Sequence, residues 1–169
     1  MQLELSYAAR APWVPSRGQF IRWIDAALAP MLKRPGPQAG APQASAPNAP
    51  RAKAPSTIIS IRVVGLARSR SLNWRYRRRH RATNVLSFAG AGRLPDGTRL
   101  LGELVICAPV VAAEARSQQK SIDAHWAHMT VHGVLHLLGF DHEVAADAAK
   151  MESREVQILD RLGFSNPYA

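Results

Sequence analysis

Cysteine is almost missing from this 169-residue sequence: Cys107 stands alone. A single thiol forms no internal disulfide, so the fold must rest on packing, and a reducing compartment is the simplest setting. Long apolar runs are missing too. No window approaches the roughly 18 uninterrupted apolar residues of a membrane span, so no membrane association is expected. The opening MQLELSYAARAPWVP lacks a basic head followed by an apolar stretch; no secretory leader is expected, and the cytoplasm is the expected address. Acids are scarce, with 12 Asp and Glu against 22 Lys and Arg, a net charge of +10. That excess favours acidic partners, nucleic acid first among them. With 47% apolar residues the chain is nonetheless globular, and its length suits one domain with one core.

The positive charge is concentrated. Between Arg68 and Arg81, RSRSLNWRYRRRHR holds seven arginines and no acid, with Trp74 and Tyr76 interleaved. Guanidinium forks bind phosphate bidentately, and both they and aromatic rings stack on bases. Arg75, Arg77, Arg78, Arg79 and Arg81 are therefore candidate RNA-binding residues. The plainer alternative is a solvated helix face, but uncompensated arginines repel one another unless a polyanion neutralises them.

Periodicity supplies the elements. LELSY alternates as a short strand, and Ser16 with Gln19 has capping-box spacing before a helix whose inner stripe is Phe20, Ile24, Ala27, Leu28 and Met31. From Pro35 to Pro55 lie half of the prolines and no large apolar residue, so this Pro/Ala-rich stretch reads as a disordered insertion within the single domain of residues 1–169. TIISIRVV is a strand with Thr57, Ile59, Ile61 and Val63 on one face, and helix is expected around Leu72 to Tyr76. NVLSF and LLGELVIC read as two further strands around a Gly/Pro/Asp turn. Pro109 is placed to open a helix running to about Gln119. Ser121 can cap the next, Ile122 to Leu138, which Gly139 stops. A last helix spans roughly Ala145 to Leu162, with Ala148, Met151, Ile158, Leu159 and Leu162 inward. The class is α+β, a mixed α/β sandwich: about four strands in a mixed sheet covered by about five helices. Cys107 is expected in its core.

The stretch TVHGVLHLLGFDH carries three of the six histidines. His132 and His136 are four apart, so on a helix both rings leave the same face. Gly139 can break that helix and let the chain return to present His142. The pattern H-x-x-x-H-x-x-G-x-x-H is the ligand spacing of metzincin-type proteases. Three neutral imidazoles leave one position of a tetrahedral zinc open, where a bound water is acidified. Three ordinary histidines on a half-buried helix are the bland reading, and the spacing with its helix-breaking Gly weighs against it. His125 and His128 extend the same face, either as supporting or substrate groups or as exposed filler. In H-E-x-x-H proteases the residue after the first ligand is the glutamate base; here it is Gly133. Without that carboxylate peptide hydrolysis loses its base, whereas phosphodiester cleavage can rely on the metal and on arginine. Asp141 is a candidate to orient a ligand through its carboxylate, or to cap the turn; Glu155 on the inner stripe is either another such support or a surface carboxylate on a frayed helix.

HGVLHLLGFDH closely resembles the H-G-x-L-H-L-x-G-[YF]-D-H signature of the YbeY family. LNWRYRRRHRATNVLSF resembles that family's L-N-x-x-Y-R…T-[DN]-V-L-S-F block, and LGELVICAPVVAAEA its L-G-[DE]-[IL]-x-I stretch and E-A helix. The tail from Met151 through LGFSNPY resembles its closing helix and P-Y ending, so the likeness covers most of Leu72 to Tyr168. The resemblance implies a metal-dependent endoribonuclease, single-strand-specific, acting in 3′-end maturation of small-subunit ribosomal RNA and in ribosome quality control. It implies one zinc ion on His132, His136 and His142, with Arg77 as a catalytic arginine facing the metal alongside His132. Implied partners are the small-subunit rRNA precursor and small ribosomal subunit proteins. Asn84 and Ser87 lie in a matched block and are candidates to line the cleft, or structural polar residues at a strand end. Two features depart from the family pattern: the Pro35–Pro55 insertion is long, and VVGLARSRS carries arginines where acids are expected.

Two rival classes stand beside the nuclease. One is a non-catalytic RNA-binding ribosome-biogenesis factor whose zinc is structural, which a fourth ligand such as Asp141 would favour. The other is a metal hydrolase on another substrate, peptides included, which needs a base not visible near the motif. Imidazole also accepts manganese and nickel, so the sequence alone does not fix the metal.

Overall fold

Strand alternation and helical periodicity produce the expected elements, in the expected order. The computed structural model describes residues 1–32, 56–140 and 145–169. Among these the chain runs β1 (Gln2–Tyr7), α1 (Arg17–Leu32), β2 (Thr57–Val64), α2 (Leu66–Arg77), β3 (Val85–Arg93), β4 (Arg99–Cys107), α3 (Ala108–Ser117), α4 (Ile122–Leu137) and α5 (Ala145–Arg161). The four strands form one mixed sheet in the order β1-β2-β4-β3. β1 and β4 flank β2 in parallel, and β3 closes the far edge antiparallel to β4. This is a single α+β domain. The Pro35–Pro55 insertion lies outside the described residues.

Local chemistry sets the boundaries. The capping box of α1 is made as expected: the Ser16 amide donates to Gln19 Oε1 at 2.9 Å and the Gln19 amide to Ser16 Oγ at 3.4 Å. Ser121 caps α4, accepting from the Ala124 amide at 3.2 Å. At the other end Gly139 adopts φ +93°, the left-handed conformation that ends a helix and favours glycine. Pro109 is the second rather than the first residue of α3, because Ala108 already has helical backbone. β3 runs five residues past Phe88, through a stretch (AGAGR) with no alternation to announce it. Its pairing with β4 slips between Ala89 and Gly92, a bulge near the hairpin turn.

The sheet packs on both faces. On one, Ile59, Ile61, Val63, Leu104 and Ile106 meet Phe20, Trp23 and Ile24 of α1, Trp126 and Val134 of α4, and Ile158 of α5. Phe20 stands edge-on to both Trp23 and Trp126, with centroids 5.8 and 5.9 Å apart. On the other, Val64, Leu86, Val105 and the buried Cys107 are covered by Leu72 of α2 and Val110 of α3. The central helix α4 touches α1, α3, α5, β3 and β4, so whatever it carries is held from several sides.

Candidate metal centre

Four histidines on α4, at positions 125, 128, 132 and 136, recur at the three- and four-residue spacing that puts side chains on one helical stripe. Their rings form a ladder with successive centroid separations of 6.1, 6.3 and 4.6 Å. His125 and His128 are buried, which removes the exposed-filler reading of the two. Each has a carboxylate partner: His125 Nε2 lies 2.9 Å from Glu114 Oε2, and His128 Nε2 lies 3.3 Å from Glu155 Oε2.

Glu155 organises the stripe. It is 0% exposed, yet three donors surround its two oxygens. His132 Nδ1 is 2.7 Å from Oε1, while His128 Nε2 and the Tyr168 hydroxyl share Oε2. Burial pushes its pKa up, but the hydrogen bonds from His128, His132 and Tyr168 outweigh that and hold it at about 2. The carboxylate is therefore charged, with no lysine or arginine among its partners. At Tyr168, burial and then the neighbouring Glu155 charge push the hydroxyl pKa above its ordinary value, so it stays a donor. Glu114 shows the same balance: burial raises its pKa, and hydrogen bonds from His125 and Asn84 bring it below the ordinary value. Asn84 Nδ2 reaches its two oxygens at 3.3 and 3.2 Å.

A charged carboxylate 2.7 Å from Nδ1 of His132 calls for the ring proton on that nitrogen, the arrangement in which the opposite nitrogen, Nε2, is the one a metal would take. That Nε2 lies 3.1 Å from His136 Nε2. Two nitrogens on one tetrahedral zinc, each about 2.0–2.1 Å from the ion, stand roughly 3.3 Å apart. The pair thus fits two adjacent corners of a zinc site, and the ion's charge would offset that of buried Glu155. Among the described residues no three His, Cys, Asp or Glu side chains form a metal cage by themselves. The third expected ligand, His142, lies outside the described residues, as does Asp141.

Gly133 turns out to be a packing requirement. A Cβ there would stand 2.8 Å from Leu104 Cδ2 and 3.1 Å from Cδ1, inside the core under α4. Ser87 of β3 donates to the Gly133 carbonyl at 3.3 Å, so the helix rests directly on the sheet. Any side chain placed there, a protease's glutamate included, would have to displace Leu104.

The arginine-rich segment joins the same region through β3. Tyr76 packs edge-on to Phe88 with centroids 4.8 Å apart, one residue from Ser87. Arg75 and Arg77 end α2, Arg78 follows in the left-handed region at φ 57°, and all five candidate arginines are exposed. The turn carrying them is anchored from beneath. Buried Asn73 donates to the Arg81 carbonyl at 2.7 Å, and buried Ser69 bonds both the carbonyl and the amide of Thr83. Trp74 is stacked on His80, at 3.7 Å between centroids, and lies under Arg78. The Trp74 ring is thus partly engaged within the protein, while it and Tyr76 remain exposed among the guanidinium groups. Sequence reasoning gave no role to Glu114 or Tyr168, whose importance comes from tertiary neighbours rather than from any local pattern.

Comparison with known proteins points one way. The family model described as Endoribonuclease YbeY matches residues 44–163. An Endoribonuclease YbeY from Nitrosococcus oceani is 44% identical over 170 aligned positions, covering 98% of this chain and 95% of its own length. The solution structure of TM1509 from Thermotoga maritima superposes with a TM-score of 0.54 at 15% identity, over 96% of this chain and 92% of that one, a likeness of fold.

Two outcomes are expected of this centre. Gly133→Ala should cost about 1–3 kcal/mol of stability by overpacking. Pairing it with Leu104→Ala should cost less than the sum of the two single changes, read by urea unfolding. For Glu155, a pKa of about 2 in place of 4.5 contributes stability that is complete above pH 4.5 and is lost as the pH falls toward 2. Metal-free protein should weaken across that window, and Glu155→Gln should flatten the dependence when unfolding is measured at a series of pH values.

Proposed function

The chain belongs to the YbeY family of endoribonucleases, and from that premise we propose that it is a zinc-dependent endoribonuclease of small-subunit ribosomal RNA. The proposed substrate is the single-stranded 3′ region of the precursor, in rRNA maturation and ribosome quality control, with small ribosomal subunit proteins as partners and the cytoplasm as location. One observation carries the reading: two imidazole Nε2 atoms converge at 3.1 Å, and the opposite nitrogen of one of those rings lies 2.7 Å from a buried carboxylate.

In this reading His132, His136 and His142 hold the ion. When bound, it supplies Lewis acidity toward a phosphoryl oxygen and lowers the pKa of water. The protein's own groups do the rest. Glu155 keeps the His132 ring in its ligating tautomer. Arg77 contributes a permanently charged fork to the scissile phosphate, offsetting the charge that builds as the nucleophile attacks. Arg75, Arg78, Arg79 and Arg81 bind neighbouring phosphates, and their rigid turn lowers the entropy lost on binding. Asp141 supports a ligand from outside the first shell. The peptide-hydrolase alternative is disfavoured by Gly133, which puts no carboxylate base beside the first ligand and packs against Leu104 instead. A purely structural zinc would need a fourth protein ligand beside the three histidines. No helix among the described residues is long and apolar enough to cross a membrane.

The test is cleavage of a small-subunit rRNA precursor by purified protein beside His136→Ala and Arg77→Ala, prepared identically. The wild type should cut, His136→Ala should be inactive, and Arg77→Ala should lose about 100-fold or more in kcat, as expected when a transition-state charge partner is removed. Equal cutting by wild type and His136→Ala would mark the activity as contamination. RNA binding by both without cutting would favour the biogenesis-factor reading.

A further inference from the structure

The C-terminal tail reaches back to the helix that carries the candidate ligands. Lys120 Nζ donates to the carbonyl of Pro167, and the Tyr168 amide donates to Asn166 Oδ1 at 2.9 Å, so the last residues are held in place. The Tyr168 ring stands edge-on to His128 with centroids 5.5 Å apart. It is 49% exposed, yet its hydroxyl passes inward to donate to Oε2 of fully buried Glu155. The other oxygen of that carboxylate accepts from His132 Nδ1 at 2.7 Å. Two hydrogen bonds in series thus connect the penultimate residue to the ring whose opposite nitrogen faces His136.

That route has a consequence for the ring. An imidazole ligates through Nε2 only when its proton sits on Nδ1, and an acceptor at Nδ1 is what selects that tautomer. Glu155 provides the acceptor only while its carboxylate plane is fixed. Without the tyrosine hydroxyl, Oε2 would keep one longer bond, the 3.3 Å contact with His128, and the carboxylate could turn toward that histidine and away from Nδ1 of His132. Tyr168 suits the fixing role because it cannot compete for the metal and remains a neutral donor.

We propose that Tyr168 is a positioning residue of the metal centre: its hydroxyl fixes Glu155 so that His132 is held as the Nδ1–H tautomer, with Nε2 as the ligating nitrogen. The proposal rests on His132 being a ligand, but its test does not depend on catalysis.

The variant is Tyr168→Phe in the full chain, which keeps the ring against His128 and removes one oxygen atom. Two quantities are read. Zinc affinity, by competition with a chromophoric chelator, should fall about 10-fold or more, the range for loss of a supporting hydrogen bond. Ring-nitrogen NMR of the metal-free protein, above the imidazole pKa range, should show His132 mainly as the Nδ1–H tautomer in wild type and as a mixture in Tyr168→Phe. Wild-type affinity together with wild-type tautomer in Tyr168→Phe overturns the proposal and leaves the tail a packing element. If wild type itself binds no zinc, the nuclease reading falls, while the tautomer comparison still decides the role of Tyr168. Should Tyr168→Phe not fold, Lys120→Met releases Pro167 without altering any group of the centre. It should shift both readouts in the same direction, and wild-type values there overturn the proposal equally.

Discussion

A carboxylate taken out of water is the constraint around which this molecule is arranged. Glu155 is fully buried and charged, and such a group persists only when donors replace the water it has lost. Three donors do so, from the middle of α4 and from the end of the chain. Satisfying that one charge aligns α5 against α4, seats the tail, and sets the proton position on His132. The same demand explains why the residues beside the candidate metal are histidine and tyrosine rather than lysine or arginine. Each of these donors reaches the carboxylate through a single polar atom, and the His132 ring turns its other nitrogen toward His136.

The sheet contributes the second half of the arrangement. Helix α4 lies close to β4 because Gly133 presents no side chain to Leu104, and it is fastened to β3 by the Ser87 bond. The histidine stripe thereby has a rigid backing, with α3 and Glu114 supporting its first turn and α5 its middle. On the outside of β3 the arginine-bearing turn is fixed by Asn73 and Ser69. The arginine-bearing turn meets β3 through Tyr76 on Phe88, and α4 meets it through Ser87, one residue away along the same strand.

Much of this was legible in the sequence, and the reasons differ between parts. Helices and strands followed from short-range periodicity, and their ends from Ser16 with Gln19, Ser121 and Gly139, all of which act within a few residues. The extension of β3 through AGAGR was not legible, because residues with small or no side chains carry no alternation and the strand there exists only through its pairing with β4. Strand order and direction were equally hidden, since β1 pairs with β2 and β2 with β4 across long stretches of chain. Of the site, His132 and His136 were readable from their spacing, and Glu155 from its place on the inner stripe of α5. The burial of His125 and His128 was not, because histidine at helical spacing is equally compatible with solvent and core. Tyr168 was invisible as a functional group: nothing local distinguishes a tail tyrosine whose hydroxyl points inward.

The irregular end of β3 bears on how the protein stays apart from its neighbours. An edge strand with free amides and carbonyls is a template on which another chain can add, and β3 is such an edge. The slip between Ala89 and Gly92 breaks the flat hydrogen-bonding rim, Gly92 takes a positive φ of 97°, and exposed Arg93 ends the strand with a charge. A chain trying to extend the sheet along this half of β3 would meet an interrupted and positively charged border, so an irregularity in pairing makes this stretch a poor template for strand addition.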